Sequence, residues 1–161
     1  DFAKDAQFWK GVDKVTAHDG FITASREGRN LPIASSSVKA GESPLLGDWT
    51  QVVGGRGARI TCRVRSTKPG GRVMIEIFAS DVGSWQFETK TPFGSDWNEA
   101  VAELRYDWSD DEARAAGWKR AANGFSWRET IQNIGKLVIV PGAVGTQATF
   151  DLDDVRVSGV E

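Results

Sequence analysis

Two neighbouring stretches constrain the fold most. In "RITCRVR", residues 59–65, Ile60, Cys62 and Val64 are apolar, while Arg59, Thr61, Arg63 and Arg65 are polar. In "RVMIEIFAS", residues 72–80, Val73, Ile75 and Ile77 point one way and Met74, Glu76 and Phe78 the other. A period of two is that of a strand whose two faces have different surroundings. Each strand therefore has a core face and a second face of mixed charged and apolar groups. Such a second face suits a sheet whose outer surface is used. The Lys68-Pro69-Gly70-Gly71 turn between them predicts a hairpin.

The rest of the chain has the same texture. Short apolar runs such as "SWQFETK", "DWNEAVAELR", "KLVIVPG" and "ATFDLDDVRV" are separated by Gly, Pro, Asn and Asp. That gives about eight to ten strands at even spacing, the pattern of an all-β sandwich or barrel. Two short helices interrupt it. "SDDEARAAG" opens on Ser109 with Glu112 three residues later, and "SWRETIQNIG" repeats the pattern with Ser126 and Glu129. Both are capping boxes, and Gly135 can end the second helix. Phe2, Ala6 and Trp9 fall at near-helical spacing, so residues 1–15 read as a lead-in and 16–161 as one sandwich domain. There is no repeat, low-complexity tract or linker. A chain of 161 residues is long enough to bury a real core.

Composition narrows the chemistry. The formal net charge is −2, without the basic excess of a nucleic-acid surface. No apolar run reaches the roughly 20 residues that span a bilayer. The chain starts at Asp1 with no leader and reads as a mature or excised piece. A single Cys excludes an internal disulfide, and Cys62 sits on a core face as a small apolar residue. The one His, His18, excludes a His-rich metal site and leaves little for nucleophilic catalysis. There are seven Trp. Flat aromatic faces pack on the C–H faces of sugars, and the indole N–H can donate.

From about Phe93 onward the order of features is specific. "SDWNEAVAELRYDWS" precedes a capped turn, then "ETIQNIGKLVIVPG", then the closing "ATFDLDDVRVSG". This resembles the C-terminal half of jelly-roll carbohydrate-binding modules attached to glycoside hydrolases and polysaccharide lyases. Leu152, Asp153, Asp154, Val155 and Val157 match their closing apolar-Asp-Asp-Val-x-apolar strand. The resemblance covers roughly the last 70 residues. It implies a two-sheet antiparallel β-sandwich that binds a polysaccharide without cleaving it, a monomeric module of a larger enzyme. It also implies a place that is secreted, periplasmic or on the cell surface. Many such modules hold a structural calcium between the first and last strands. On that pattern Asp153 is the ligand, with Asp19 or Glu27 as its partner.

The residues themselves leave alternatives open. Asp151 and Asp153 share one strand face and Asp154 lies on the other, so the three acids cannot form one site alone. They read as calcium ligands or as the solvent face of an edge strand. Adjacent acids are poorly placed for glycoside hydrolysis, which needs carboxyls on either side of the bond. Trp97 and Trp127 read as structural. Trp85, Trp108 and Trp118 read as the better ligand residues, with the outward polar groups Arg63, Glu76, Gln86 and Glu88. Arg59, Arg63 and Arg65 share a face, with Glu76 expected on the neighbouring strand. They serve either cross-strand ion pairs or the paired hydrogen bonds an arginine fork makes. The rival readings are a small jelly-roll lyase or hydrolase, limited to Tyr106 and His18 for a base, and a protein-interaction or assembly sandwich.

Overall fold

The computed structural model describes residues 9–11, 14–17, 22–25, 34–37, 55–67, 71–79, 82–141 and 149–161. The strands are β1 (Trp9–Gly11), β2 (Lys14–Ala17), β3 (Ile22–Ser25), β4 (Ala34–Ser37), β5 (Gly57–Ser66), β6 (Gly71–Ala79), β7 (Val82–Phe93), β8 (Asn98–Arg105), β9 (Trp118–Arg120), β10 (Ile134–Pro141) and β11 (Thr149–Val160). Helices α1 (Asp110–Ala115) and α2 (Trp127–Gln132) flank β9. One sheet runs β1-β4-β10-β6-β7-β9 and the other β2-β3-β11-β5-β8. Every pairing is antiparallel. The expected two-sheet sandwich with two short helices is what forms. The first described strand, β1, starts at Trp9, within residues 1–15.

The alternation in β5 and β6 holds residue by residue. Ile60, Cys62 and Val64 are buried from one sheet, and Val73, Ile75 and Ile77 from the other. The hairpin does not form, however. β5 pairs with β11 and β8, whereas β6 pairs with β10 and β7. Side by side, the two apolar rows would share one sheet face and still need a cover. In opposite sheets they cover each other, which buries both at about 1.5–3 kcal/mol per large side chain. Leu104 and Leu152 join them from β8 and β11, and Leu137 and Ile139 from β10.

The end of the sandwich beside β8 and β9 is filled by tryptophan. Trp85, Trp118 and Trp127 are each at most 1% exposed. Trp127 meets Trp85, Trp118 and Trp108 at ring-centroid distances of 5.1, 5.3 and 5.7 Å. Each buried indole N–H has a backbone acceptor: Trp85 donates to Phe125 O at 3.1 Å, Trp118 to Glu103 O at 2.8 Å and Trp127 to Arg105 O at 2.8 Å. β8 is the last strand of its sheet. The Tyr106 N–H turns back to Arg56 O, so the alternate carbonyls of Glu103 and Arg105 face away from β5. The indoles thus occupy groups that an open sheet edge would leave for another chain.

The helices hold this end in place. Ser109 caps α1 and Ser126 caps α2, each in the capping box that the sequence predicts. Those serine bonds hold the Glu112 and Glu129 carboxyls below the usual range. α2 ends at Asn133, and Gly135 lies inside β10 rather than closing the helix.

The closing acids are resolved by a bulge. β11 is an interior strand between β3 and β5, not an edge strand. Strict alternation from the buried Leu152 would turn Asp154 and Arg156 inward. The register shifts between Asp153 and Arg156, and Asp154 adopts φ +51°. The inserted residue returns Val155 and Val157 to the core side. Asp154 tolerates the left-handed conformation as its residue type does, and its N–H bonds Asp153 Oδ1 at 2.6 Å.

Candidate functional site

The expected ligand residues fall into four places. Trp85 and Trp118 are core pillars, with ring faces packed and N–H groups bonded, so neither presents a face to a sugar. Their strands carry them inward because Phe87, Trp85 and Trp118 share the core side of β7 and β9. In β7 the alternation of Trp85, Phe87 and Thr89 with Gln86, Glu88 and Lys90 marks the core face, whereas β9, with three residues, carries no such pattern.

Arg63 lies on the outer face of the five-stranded sheet, away from Glu76, which lies on the other sheet. Its pairing is with β11: Arg63 reaches Asp153 at 3.4 Å and Arg65 reaches Asp151 at 2.7 Å, each directly across the register. Arg59 pairs with Glu103 of β8. Trp97 lies against these arginines, its ring centroid 5.1 Å from the Arg63 guanidinium carbon and 4.6 Å from that of Arg65. This face is a ladder of partly exposed ion pairs, each worth at most about 1 kcal/mol.

The ladder bears on calcium. Asp153 has one carboxylate oxygen on the Asp154 N–H and the other on Arg63. Among the described residues no three possible ligands gather anywhere. Calcium takes about six to eight oxygens from separate segments, and the described residues supply only Asp153 of the expected set. Asp19, Glu27, His18 and Trp49 lie outside the described residues.

Glu76, Gln86 and Glu88 do come together, on the outer face of the six-stranded sheet. The register sets Lys119, Gln86, Glu76, Val138, Ser35 and Lys10 in one row across all six strands. Glu76 is only 9% exposed and Val138 only 4%, although both point away from the core. Half-buried Met74 and Phe78 flank Glu76 along β6. Gln86 Nε2 donates to Glu76 Oε1 at 3.0 Å. The result is an apolar floor holding an oriented carboxylate–amide pair, with exposed Arg72, Glu88, Lys90 and Lys119 around it. A carboxylate so placed accepts hydrogen bonds from hydroxyls, and the amide orients it.

Trp108 occupies a fourth place. It is half-buried and lines a cleft of about 330 Å³ with Arg56, Arg105, Asp107, Glu112 and Glu161. The sequence reading missed Arg56 and Asp107. The signal for Arg56 is its setting in "GGRG": a Cβ on Gly55, at φ +70°, would lie 2.5 Å from Val160 O, and one on Gly57 would lie 2.1 Å from Leu104 O.

No protein-family model matches this chain, and no curated protein matches it either. Solved structures do match. An exo-β-agarase superposes on 99% of the chain with a TM-score of 0.68 at 7% identity. A family 11 carbohydrate-binding module from Clostridium thermocellum, in complex with a β-1,3-1,4-mixed-linked tetrasaccharide, covers 99% of the chain and 94% of its own length, with a TM-score of 0.59 at 13% identity. A CBM4 module matches 98% of the chain and 99% of its own length, at TM-score 0.58 and 11% identity. The fold is that of a jelly-roll carbohydrate-binding module. This chain spans about a quarter of the agarase, 24% of its length, and nearly the whole of each module. The expectation drawn from the closing strand therefore holds for the fold. Among the described residues, no helix is long and apolar enough to cross a membrane.

Proposed function

We propose that this chain is a carbohydrate-binding domain that holds a polysaccharide on the outer face of its six-stranded sheet and leaves cleavage to an enzyme of which it forms part. The observation that carries the reading is the Glu76–Gln86 pair set in the apolar floor of Met74, Phe78 and Val138. A sugar offers that floor its C–H faces and the pair its hydroxyls. The sheet hydrogen bonds hold these groups in place, so binding needs little conformational change, which limits the ordering cost of association. A fold likeness both to free modules and to one part of an agarase fits a targeting role, outside the cytoplasm where polysaccharide is met. The domain would act as a monomer.

Affinity electrophoresis against agarose, mixed-linkage β-glucan and xylan tests the reading. Retardation by at least one polymer is expected, without release of new reducing ends. Retardation by none would remove the proposal. Release of reducing ends by the isolated chain would favour the hydrolase or lyase reading.

A further inference from the structure

We propose that the cleft between Arg56, Asp107 and Trp108 is a second saccharide site, separate from the sheet face and sized for a short neutral segment. It lies on the other sheet, where β8 passes into α1 and the ends of β5 and β11 meet.

Three observations carry this. The first is Trp108. Trp85, Trp118 and Trp127 have buried rings and N–H groups on backbone carbonyls. Trp108 packs one side on Trp127, is half-buried, and its N–H has no acceptor among the described residues. A half-buried indole in the wall of a cleft, with its donor not engaged by the described residues, is equipped for a sugar ring.

The second is Arg56. Its N–H bonds Val160 O at 2.8 Å and its carbonyl accepts the Tyr106 N–H at 3.0 Å, so its backbone is clamped between β11 and β8. Gly55 and Gly57 on either side leave no room for a Cβ. Nothing among the described residues bonds its exposed guanidinium. A pinned backbone with an unengaged fork reduces the ordering cost of a ligand bond.

The third is the lining. Asp107 is an exposed acceptor, Glu112 is held in the Ser109 cap, and Arg105 Nη1 donates to Glu161 O at 2.7 Å. Three carboxylates disfavour an anionic glycan and two guanidiniums disfavour a polyamine. A hydroxyl-rich neutral saccharide uses both donors and acceptors. At about 330 Å³ the cleft is at the small end of ligand sites, which limits it to a short segment.

Calorimetry and indole NMR on the whole chain test this, with neoagarotetraose, xylotetraose and a mixed-linkage β-glucan tetrasaccharide as neutral probes and tetragalacturonate as the anionic one. At least one neutral probe is expected to bind at two sites per chain and to move the Trp108 indole signal. Arg56→Ala and Asp107→Ala, both at exposed positions, are expected to remove one site or weaken it at least tenfold and leave the other. Trp108→Phe is expected to weaken the same site. If Glu76→Gln with Gln86→Ala abolishes all binding and the cleft variants change nothing, the second site is refuted and the sheet-face reading stands. If the cleft variants abolish all binding and the sheet variants none, the cleft stands and the sheet-face reading falls. If no probe binds, the second site is refuted, and retention on long polymers still decides the sheet face. Tighter binding of tetragalacturonate than of every neutral probe would overturn the ligand class.

Discussion

Trp118→Phe separates a core pillar from a sugar platform. Trp118 is 1% exposed, contacts the Phe87 and Trp127 rings at 5.4 and 5.3 Å, and donates to Glu103 O at 2.8 Å. Phenylalanine retains the aromatic contact but removes the second ring and the donor. The lost ring contributes about 1–2 kcal/mol in transfer and cavity terms. The lost hydrogen bond contributes about 1 kcal/mol more. A loss of about 2–3 kcal/mol lowers the melting temperature of a domain this size by roughly 5–10 °C. Differential scanning calorimetry reads the shift, and affinity electrophoresis of the same sample reads polysaccharide retention, which is expected to be unchanged below the transition. An unchanged melting temperature with lost retention would refute the assignment of Trp118 to the core.

Gly57→Ala sets a Cβ 2.1 Å from Leu104 O, so it is expected to destabilise more than Trp118→Phe, or to prevent folding, as seen in the yield and melting curve. The Cys62 thiol is pushed up to about 12 by burial and by the Glu99 charge, so a thiol reagent at pH 8 is expected to label it only in denaturant. Glu112 and Glu129 titrate below their ordinary value, so the cap stabilisation is present above the unfolded pKa and is lost as pH falls through the lower folded one. Ser126→Ala is therefore expected to lower the melting temperature at pH 7 and to lower it less in strong acid, where only the Ser126 Oγ bond to the Glu129 N–H remains to be lost. A melting curve with and without chelator tests the calcium expected at Asp153: a bound cation predicts a fall in melting temperature on chelation, and no shift would count against the metal.

What was legible in the sequence was local. The alternation of β5 and β6 and both capping boxes depend on residues within a few positions of each other, and all are found as written. Partnership between strands is set by distant residues and was not legible. The turn after Lys68 resembles a hairpin turn, yet burying two apolar rows against each other sends β5 and β6 to opposite sheets. Arg63 therefore meets Asp153, 90 residues away, rather than Glu76. The bulge at Asp154 was illegible because alternation assumes an unbroken ladder. Trp127 packs inward as its helical spacing predicts, whereas Trp85 and Trp118, expected at a ligand, are buried. Nothing local shows that carbonyls of Glu103 and Arg105 await the indoles of Trp118 and Trp127. Three of the expected ligand residues, Glu76, Gln86 and Glu88, share one face because they alternate on β6 and β7, which are neighbours.

Retention of the Glu76→Gln, Gln86→Ala double variant beside the wild type in polysaccharide gels tests the central claim most directly. The wild type is expected to be retarded by at least one neutral polymer, and the double variant, with its melting temperature preserved, to bind it at least tenfold more weakly. A wild type that runs freely on every polymer, or a double variant retained as strongly as the wild type, would contradict the account.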